Sequence, residues 1–349
     1  MDKIINVAIL GAGNIANAMA EAVKGIPNEA KLYAVASRSL EKAQAFAEKW
    51  GVEKAYGSYE DMVKDDNIDL IYVASPHSEH YKNTKLCLEN GRNCLVEKAF
   101  CGNLVQTKEL LKLAKDKNLL LAEAMWTRYQ PSYGFIKGIL ESGIIGKINY
   151  CEDDFAINVR GLDRMEKPEL AGGALLDLGI YSLTVPAMYW GYDIASVKTD
   201  CELSEQGVDL HDDIVITYKN GNKARVKCAF DTQNPANYAK FVGDKGSVVF
   251  GPINVPTELT VYDNDGNVVE KHDIPLLVNG YEYEVISCRK ALLEGANEVP
   301  ELPHSEICRM MSWMDSIRNH IGMVYPFETK EDINHADIDV WGVENVYAD

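Results

Sequence analysis

Apolar and polar positions divide the chain into two parts of different rhythm. In the first part, short apolar runs rich in β-branched residues fall at 4–10, 31–36, 68–74, 94–96 and 119–122. Unbroken runs of this length predict strands buried on both faces. Between them, apolar residues recur at helical spacing: from residue 14 to about 25, at 40–50, at 59–64, from Pro76 to about 90, and at 103–117. Strands separated by helices of this length pair in parallel through crossovers. Ligands of such sheets bind beyond the carboxyl ends of the strands, where Ser37, Pro76, His77, His80, Lys98 and Glu123 fall.

From about residue 125 the rhythm changes. A helix is predicted at 132–141, then strands at 148–158, 196–203, 214–218, 223–230, 238–242, 247–250, 258–263 and 267–273. Asn220-Gly221 is a two-residue hairpin signal. In 223–230, Ala224, Val226, Cys228 and Phe230 alternate with Lys223, Arg225 and Lys227, so one face is buried and the other wet. One apolar helix, 171–190, interrupts the strands, and two more, 281–294 and 304–321, close the part. The expected fold class is α/β: a Rossmann-type doubly wound parallel sheet, followed by an α+β domain with a large, open, mostly antiparallel sheet. The expected divisions are 1–124, 125–326 and an acidic tail, 327–349, containing Trp341 and Tyr347.

The first strand runs into Gly11-Ala12-Gly13-Asn14-Ile15-Ala16, and a helix follows. Strand, glycine turn and helix form the context of a dinucleotide fingerprint. Gly11 permits the tight turn, Gly13 lets a pyrophosphate approach the backbone, and Ala16 keeps the helix close to the strand. Asn14 and Ile15 open the helix, whose free N–H groups favour phosphate. The second strand ends in Ser37-Arg38-Ser39, where an Asp or Glu would accept the ribose 2′-hydroxyl of NAD. Serine does not repel a 2′-phosphate and arginine can pair with it, so NADP is favoured, with NAD possible.

Charge narrows the partners. Lys and Arg number 35 against 53 Asp and Glu, a formal net charge of -18. That balance argues against nucleic acid and anionic membrane surfaces. No apolar run is expected to span a membrane and no secretory pattern is read at the start, so a cytoplasmic location is expected. The eight cysteines are scattered without a C-x-x-C pair, so neither a metal site nor a disulfide framework is expected. His77 and His80 lack an accompanying carboxylate or thiol cluster, and read as a cap or cofactor contact.

Asp177 and Tyr181, four apart, share a face near the start of an apolar helix. Burying either without partners is costly, so the pair needs a reason. With Gly11-x-Gly13-x-x-Ala16, Ser75-Pro76-His77 with His80, Glu97-Lys98, and Gly172-Gly173-Ala174-Leu175-x-Asp177-x-Gly179-x-Tyr181, the chain resembles the glucose-fructose oxidoreductase, inositol dehydrogenase and rhizopine-catabolism (Gfo/Idh/MocA) family. Many members carry His where this chain has Tyr181. Tyrosine there, with Glu123-Ala124-Met125-Trp126-Thr127-Arg128-Tyr129, resembles the subgroup of dimeric dihydrodiol dehydrogenase and NADP-xylose dehydrogenase. Ala99 stands where the family's usual Glu-Lys-Pro has proline, and a cis bond there costs more than before proline.

The resemblance implies hydride transfer between NADP(H) and the secondary or anomeric alcohol of a sugar or cyclic diol. Tyr181 would move the proton on oxygen, Lys98 would favour its phenolate, and Asp177 would orient substrate or lysine. Gly11, Gly13, Asn14, Ile15, Ser37, Arg38, Ser75, Pro76, His77, His80, Glu97 and Lys98 would hold the cofactor. Trp126, Arg128 and Phe155 are candidates for the substrate wall. An open antiparallel sheet needs cover, so a homodimer or higher homo-oligomer through it is expected. Two other readings stay open: an NAD-dependent hydrolase or lyase that cleaves glycosides, and an NADP-binding regulator without catalysis.

Overall fold

The structure, a computed structural model, describes residues 3–334. The chain forms two compact units: residues 1–129 with 276–308, and residues 130–275 with those from 309 onward.

In the first unit β1 (Ile5–Leu10), α1 (Asn14–Gly25), β2 (Ala30–Ala36), α2 (Leu40–Trp50), β3 (Lys54–Tyr56), α3 (Tyr59–Met62), β4 (Leu70–Val73), α4 (His77–Glu89), β5 (Cys94–Glu97), α5 (Leu104–Lys117) and β6 (Leu121–Ala124) follow in turn. The strands form one parallel sheet in the order β3-β2-β1-β4-β5-β6. The expected doubly wound sheet is therefore present. Strands β4 and β5 are fully buried, and so is β1 apart from Asn6, as their apolar runs require. Local signals end the helices. The Ser39 hydroxyl caps α2 by accepting the Lys42 N–H, and Gly51 closes it in the left-handed conformation.

The second unit holds α6 (Pro131–Glu141), β7 (Ile148–Ala156), a short α7 (Asp163–Glu166), a π-helical turn (Leu175–Gly179) running into α8 (Ile180–Trp190), and β8 (Ile194–Leu203) to β14 (Val268–Asp273). Between those last two lie β9 (Asp209–Tyr218), β10 (Lys223–Ala229), β11 (Ala236–Gly243), β12 (Gly246–Gly251) and β13 (Glu258–Asp263). The sheet order is β14-β13-β12-β11-β7-β10-β9-β8, antiparallel except for the parallel β7–β10 pair. Ala224, Val226 and Cys228 turn inward against the helix, while Lys223 and Arg225 face out. The outward row carries its own counter-charges, with Arg225 paired to Asp213 on the neighbouring strand.

The remaining helices are α9 (Glu282–Glu294), α10 (His304–Ile321) and α11 (Lys330–Ile333). Arg318 of α10 has no exposed surface and is held between Asp315 and Glu328. Beside it the Tyr325 hydroxyl donates to Gly172 O at 2.7 Å, tying this segment to the loop that precedes the π turn.

Four expectations need revision. The first unit runs to Tyr129 rather than 124 and takes back residues 276–308, so α9 packs against α1 and β2 instead of closing the second part. Strand β3 was not expected, because three half-buried residues carry no pattern. Residues 168–190 are apolar and long enough to cross a membrane, but 94% of that apolar window is buried, so it is a core helix. The expected tail begins with structure: Phe327 stacks on Tyr325, Glu328 binds Arg318, and α11 follows. Trp341 and Tyr347 lie outside the described residues.

Candidate active site

The first sheet reverses its winding between β1 and β4, and the carboxyl ends of these strands define the crevice where such sheets bind ligands. Gly11 takes a φ of 105°, and its N–H donates to Ala36 O at 2.9 Å. A Cβ there would stand 2.8 Å from Ala74 O, so glycine is required by conformation and by packing. Gly13 differs. A Cβ at Gly13 would meet nothing within 4 Å, so open space lies over the start of α1. That helix has no side-chain cap and no acid in its first turn. Its first N–H groups, beginning with Asn14 and Ile15, are left for an anion. Ala16 is fully buried and brings α1 onto the sheet.

Beyond β2, the Ser37 N–H donates to Tyr56 O at 3.1 Å, and Arg38 projects, exposed, between Ser37 and the Ser39 cap. Its charge acts on the Tyr59 phenol, which burial pushes above the ordinary value. No acid follows the strand. These residues fit a dinucleotide: the α1 N-terminus and Gly13 would hold the pyrophosphate, and Ser37 with Arg38 a 2′-phosphate.

Lys98 follows β5, and its peptide to Ala99 is cis. Every part of this turn is pinned. His77 Nε2 lies 3.0 Å from Lys98 O, and His80 Nδ1 lies 2.8 Å from Ala99 O. His80 Nε2 also lies 2.8 Å from Ser75 O, which ties the Ser75-Pro76 turn to the same cluster. The Lys98 N–H donates to Glu97 Oε2, whose other oxygen accepts from the Tyr72 hydroxyl. The Phe100 N–H donates to Glu123 Oε1 at 3.0 Å. Burial, with Glu97 nearby, pushes the Glu123 carboxyl up to about 8. Burial likewise lowers the basicity of His80, which has no exposed surface. His80 is thus a brace for the lysine turn and has no ring nitrogen left for a ligand.

In the second unit the π turn carries Asp177, and Tyr181 follows in the first turn of α8; each is 6% exposed. Such π turns recur at functional sites. The Asp177 carboxylate accepts from Arg164 Nη1 at 2.7 Å. The Tyr181 ring lies 5.5 Å from that of Phe155, at the end of β7. Gly179 lets the turn lie on the sheet, because a Cβ would stand 3.0 Å from Cys228 Sγ. The Ser182 hydroxyl then fixes α8 by donating to Lys227 O at 3.0 Å.

The structure thus gathers Ser75, Pro76, His77, His80, Glu97 and Lys98 in one unit, and Phe155, Asp177 and Tyr181 in the other. Two expected wall residues are spent elsewhere. The Trp126 ring stacks on Tyr281 at 4.0 Å and is 7% exposed. Arg128 donates to Glu301 O and pairs with Glu306, with its side chain 14% exposed. Both hold the 126–129 turn against the returning segment of the same unit. Arg164 was not among the expected site residues, and Glu123 was expected only at the ligand-binding end of the sheet, without a role. Nothing local marks Arg164, a lone arginine between two loops. Glu123 had the right signal, an acid at a strand's carboxyl end.

Residues 5–125 match the GFO_IDH_MocA family, described as an oxidoreductase family with an NAD-binding Rossmann fold. Residues 133–249 match the GFO/IDH/MocA C-terminal domain. The chain is 33% identical over 329 residues to trans-1,2-dihydrobenzene-1,2-diol dehydrogenase of Xenopus tropicalis, covering 91% of this chain and 98% of that one. Identity to the Mus musculus enzyme of the same name is 31% over 330 residues, covering 91% and 97%. Among solved structures it is similar to KijD10, a 3-ketoreductase from Actinomadura kijaniata in complex with NADP, with a TM-score of 0.79 and 22% identity over 90% of this chain and 97% of that one.

The Glu123 carboxyl gives a pH test. A group held up to about 8 keeps its proton in the folded state across a range where the unfolded chain, with Glu near ~4.3, has lost it. Stability therefore falls as pH rises from ~4.3 toward about 8, by up to ~1.4 kcal/mol per pH unit. Glu123→Gln keeps an acceptor for Phe100 and is expected to flatten that slope in urea unfolding between pH 5 and 8 (~pH range of the carboxyl). An unchanged slope would show that Glu123 is ionised in the fold.

Proposed function

We propose that this chain, which belongs to the Gfo/Idh/MocA oxidoreductase family, exchanges a hydride between NADP(H) and the secondary or anomeric alcohol of a sugar or cyclic diol. Oxidoreduction with a nicotinamide cofactor belongs to the family; the phosphate form, the alcohol and the residue roles belong to the proposal. The observation that carries it is the uncapped α1 N-terminus with open space over Gly13, followed at the end of β2 by Ser37-Arg38 rather than an acid. The diol dehydrogenases that the chain is similar to support an alcohol on a ring.

When bound, the nicotinamide supplies the hydride acceptor or donor. The chain's own residues do the rest. Gly13 and the start of α1 bind the pyrophosphate, Arg38 pairs with the 2′-phosphate, and Ser37 leaves room for it. Tyr181 takes the proton from the alcohol oxygen in oxidation and returns it in reduction. A free phenol with a pKa of ~10 is a weak base at neutral pH, which a cation would remedy; Lys98, in the pinned turn after β5, is the lysine assigned to the reaction. Asp177, its charge met by Arg164, orients the polar groups. Phe155 supplies an apolar wall next to the phenol.

The outward face of the second sheet is assigned to a second copy of the chain. Its rows mix half-exposed Tyr150 and Val215 with exposed Tyr238 and charges of both signs, among them Glu152, Arg225, Asp154 and Lys227. Mixed rows of this kind suit an isologous contact.

Three outcomes test these assignments. Tyr181→Phe is expected to lose at least ~100-fold in kcat, with NADP affinity unchanged, in assays with D-xylose, D-glucose and trans-1,2-cyclohexanediol. Wild-type turnover in that variant would remove Tyr181 from the proton transfer. Arg38→Ala is expected to weaken NADP by ~10-fold or more while leaving NAD within twofold, in fluorescence titration. Equal losses for both would remove the phosphate contact. Sedimentation should show a dimer that Tyr238→Asp dissociates; a monomeric wild type would leave the sheet face uncovered.

A further inference from the structure

The turn carrying Asp177 and Tyr181 begins without a cap of its own: Ala174, ahead of it, makes no side-chain bond to its N–H groups. A carboxylate from elsewhere in the same unit takes that place. Asp209, at the first position of β9, accepts the Leu175 N–H at 2.5 Å and has no exposed surface. Room is made for it by Gly173, which takes a φ of 124°; a Cβ there would stand 1.9 Å from Asp209 Oδ1. Any side chain at this position would push the carboxylate off the turn.

Asp209 is itself held. Three residues along β9, Asp212 is 2% exposed, and its carboxyl and that of Asp209 act on each other. Neither Asp209 Oδ1 nor Asp212 Oδ1 has a hydrogen-bond partner among the described residues, and two buried, interacting carboxyls can share one proton. Burial and the Asp209 charge hold Asp212 well above the ordinary carboxyl value. Asp209 is raised less, because the Leu175 N–H, Asp212 and the charge of Arg318 all favour its ionised form. Across the strands, Cys201 on β8 and Cys228 on β10 pair in register with Asp212, and the Cys228 thiol donates to its Oδ2 at 3.3 Å. The groups facing the pair are thus Cys201, Cys228, Arg318, Tyr325 and, more remotely, Asp200.

We infer that Asp209, locked by the proton it shares with Asp212, is the N-terminal cap of the Asp177–Tyr181 turn and positions both residues for the reaction. The inference rests on the roles given above to Asp177 and Tyr181. A carboxylate at a helix start satisfies an orphan N–H and meets the positive end of the helix dipole. Here it comes from a strand in the sheet core, so the turn is referenced to the rigid part of the unit rather than to its own loop. Neither aspartate touches the reacting atoms; both are positioning residues.

The test compares isosteric variants. Asn at 212 carries an N–H in place of the shared proton, so Asp212→Asn is expected to keep kcat within threefold of wild type. Asp209→Asn loses the charge on Leu175 N and sets a donor against the acid proton of Asp212. It is expected to lower kcat tenfold or more with D-xylose and trans-1,2-cyclohexanediol, while KM and the Kd for NADP stay within twofold. Amide exchange across 174–181 in the full-length protein, followed by mass spectrometry, should rise at least tenfold in Asp209→Asn and stay level in Asp212→Asn. If Asp209→Asn does not fold, Asp212→Leu, which offers Asp209 no hydrogen, should speed the same amides and lower kcat where Asp212→Asn does neither. Unchanged exchange in Asp209→Asn, or equal losses in Asp212→Asn and Asp209→Asn, would overturn the inference. Tyr181→Phe run alongside separates the two claims: turnover retained there removes the role of Tyr181, and the exchange data still decide the cap.

Discussion

The Phe100 N–H ends on the buried Glu123 carboxyl and the Leu175 N–H on that of Asp209, and the segments so held carry Lys98 in one unit and Asp177 with Tyr181 in the other. A buried acid costs several kcal/mol unless something meets its oxygens, on the order of the net stability of a whole domain. Placed against a single peptide N–H, it is also a directional constraint, since that bond weakens steeply with angle. Both acids come from strands of their sheet, Glu123 from β6 and Asp209 from β9. The segments carrying Lys98, Asp177 and Tyr181 are therefore referenced to strands rather than to their own turns.

The sheets were legible in the sequence because their rule is local. An unbroken run such as Val7 to Leu10 can only be buried on both faces, and the alternation from Lys223 to Phe230 can only face two environments. The cofactor crevice was legible for the same reason: Gly11, Gly13 and Ala16 act within one strand, turn and helix. What escaped is what depends on distant chain. The first five residues of β9 include Asp209, Asp212 and Asp213, and acids in a strand read as a loop until the partners that bury them are known. Trp126 and Arg128 read as exposed recognition residues beside a domain boundary. Their partners, Tyr281, Glu301 and Glu306, lie more than a hundred residues along. Arg164 has no meaning without Asp177.

The net charge of -18 shapes how an anionic coenzyme could be received. The overall field repels it, so in the proposed reading capture falls to groups whose own field is short-ranged: the bare amides of α1 and the guanidinium of Arg38. Acids are kept out of the first turn of α1, while α2 and α3 carry theirs at the usual place.

The return of residues 276–308 to the first unit bears on how the protein is made. A nascent chain emerging from the ribosome completes all six parallel strands by Ala124, yet α9, which covers α1 and β2, is translated after the whole second sheet. At the usual ~5–20 residues per second, roughly ten seconds or more separate the two events. During that interval the nucleotide-binding sheet lacks the helix that shields it. Vectorial synthesis therefore lays down both sheets before either unit is closed: α9 reaches the first unit, and the chain from 309 onward reaches the second, only afterwards.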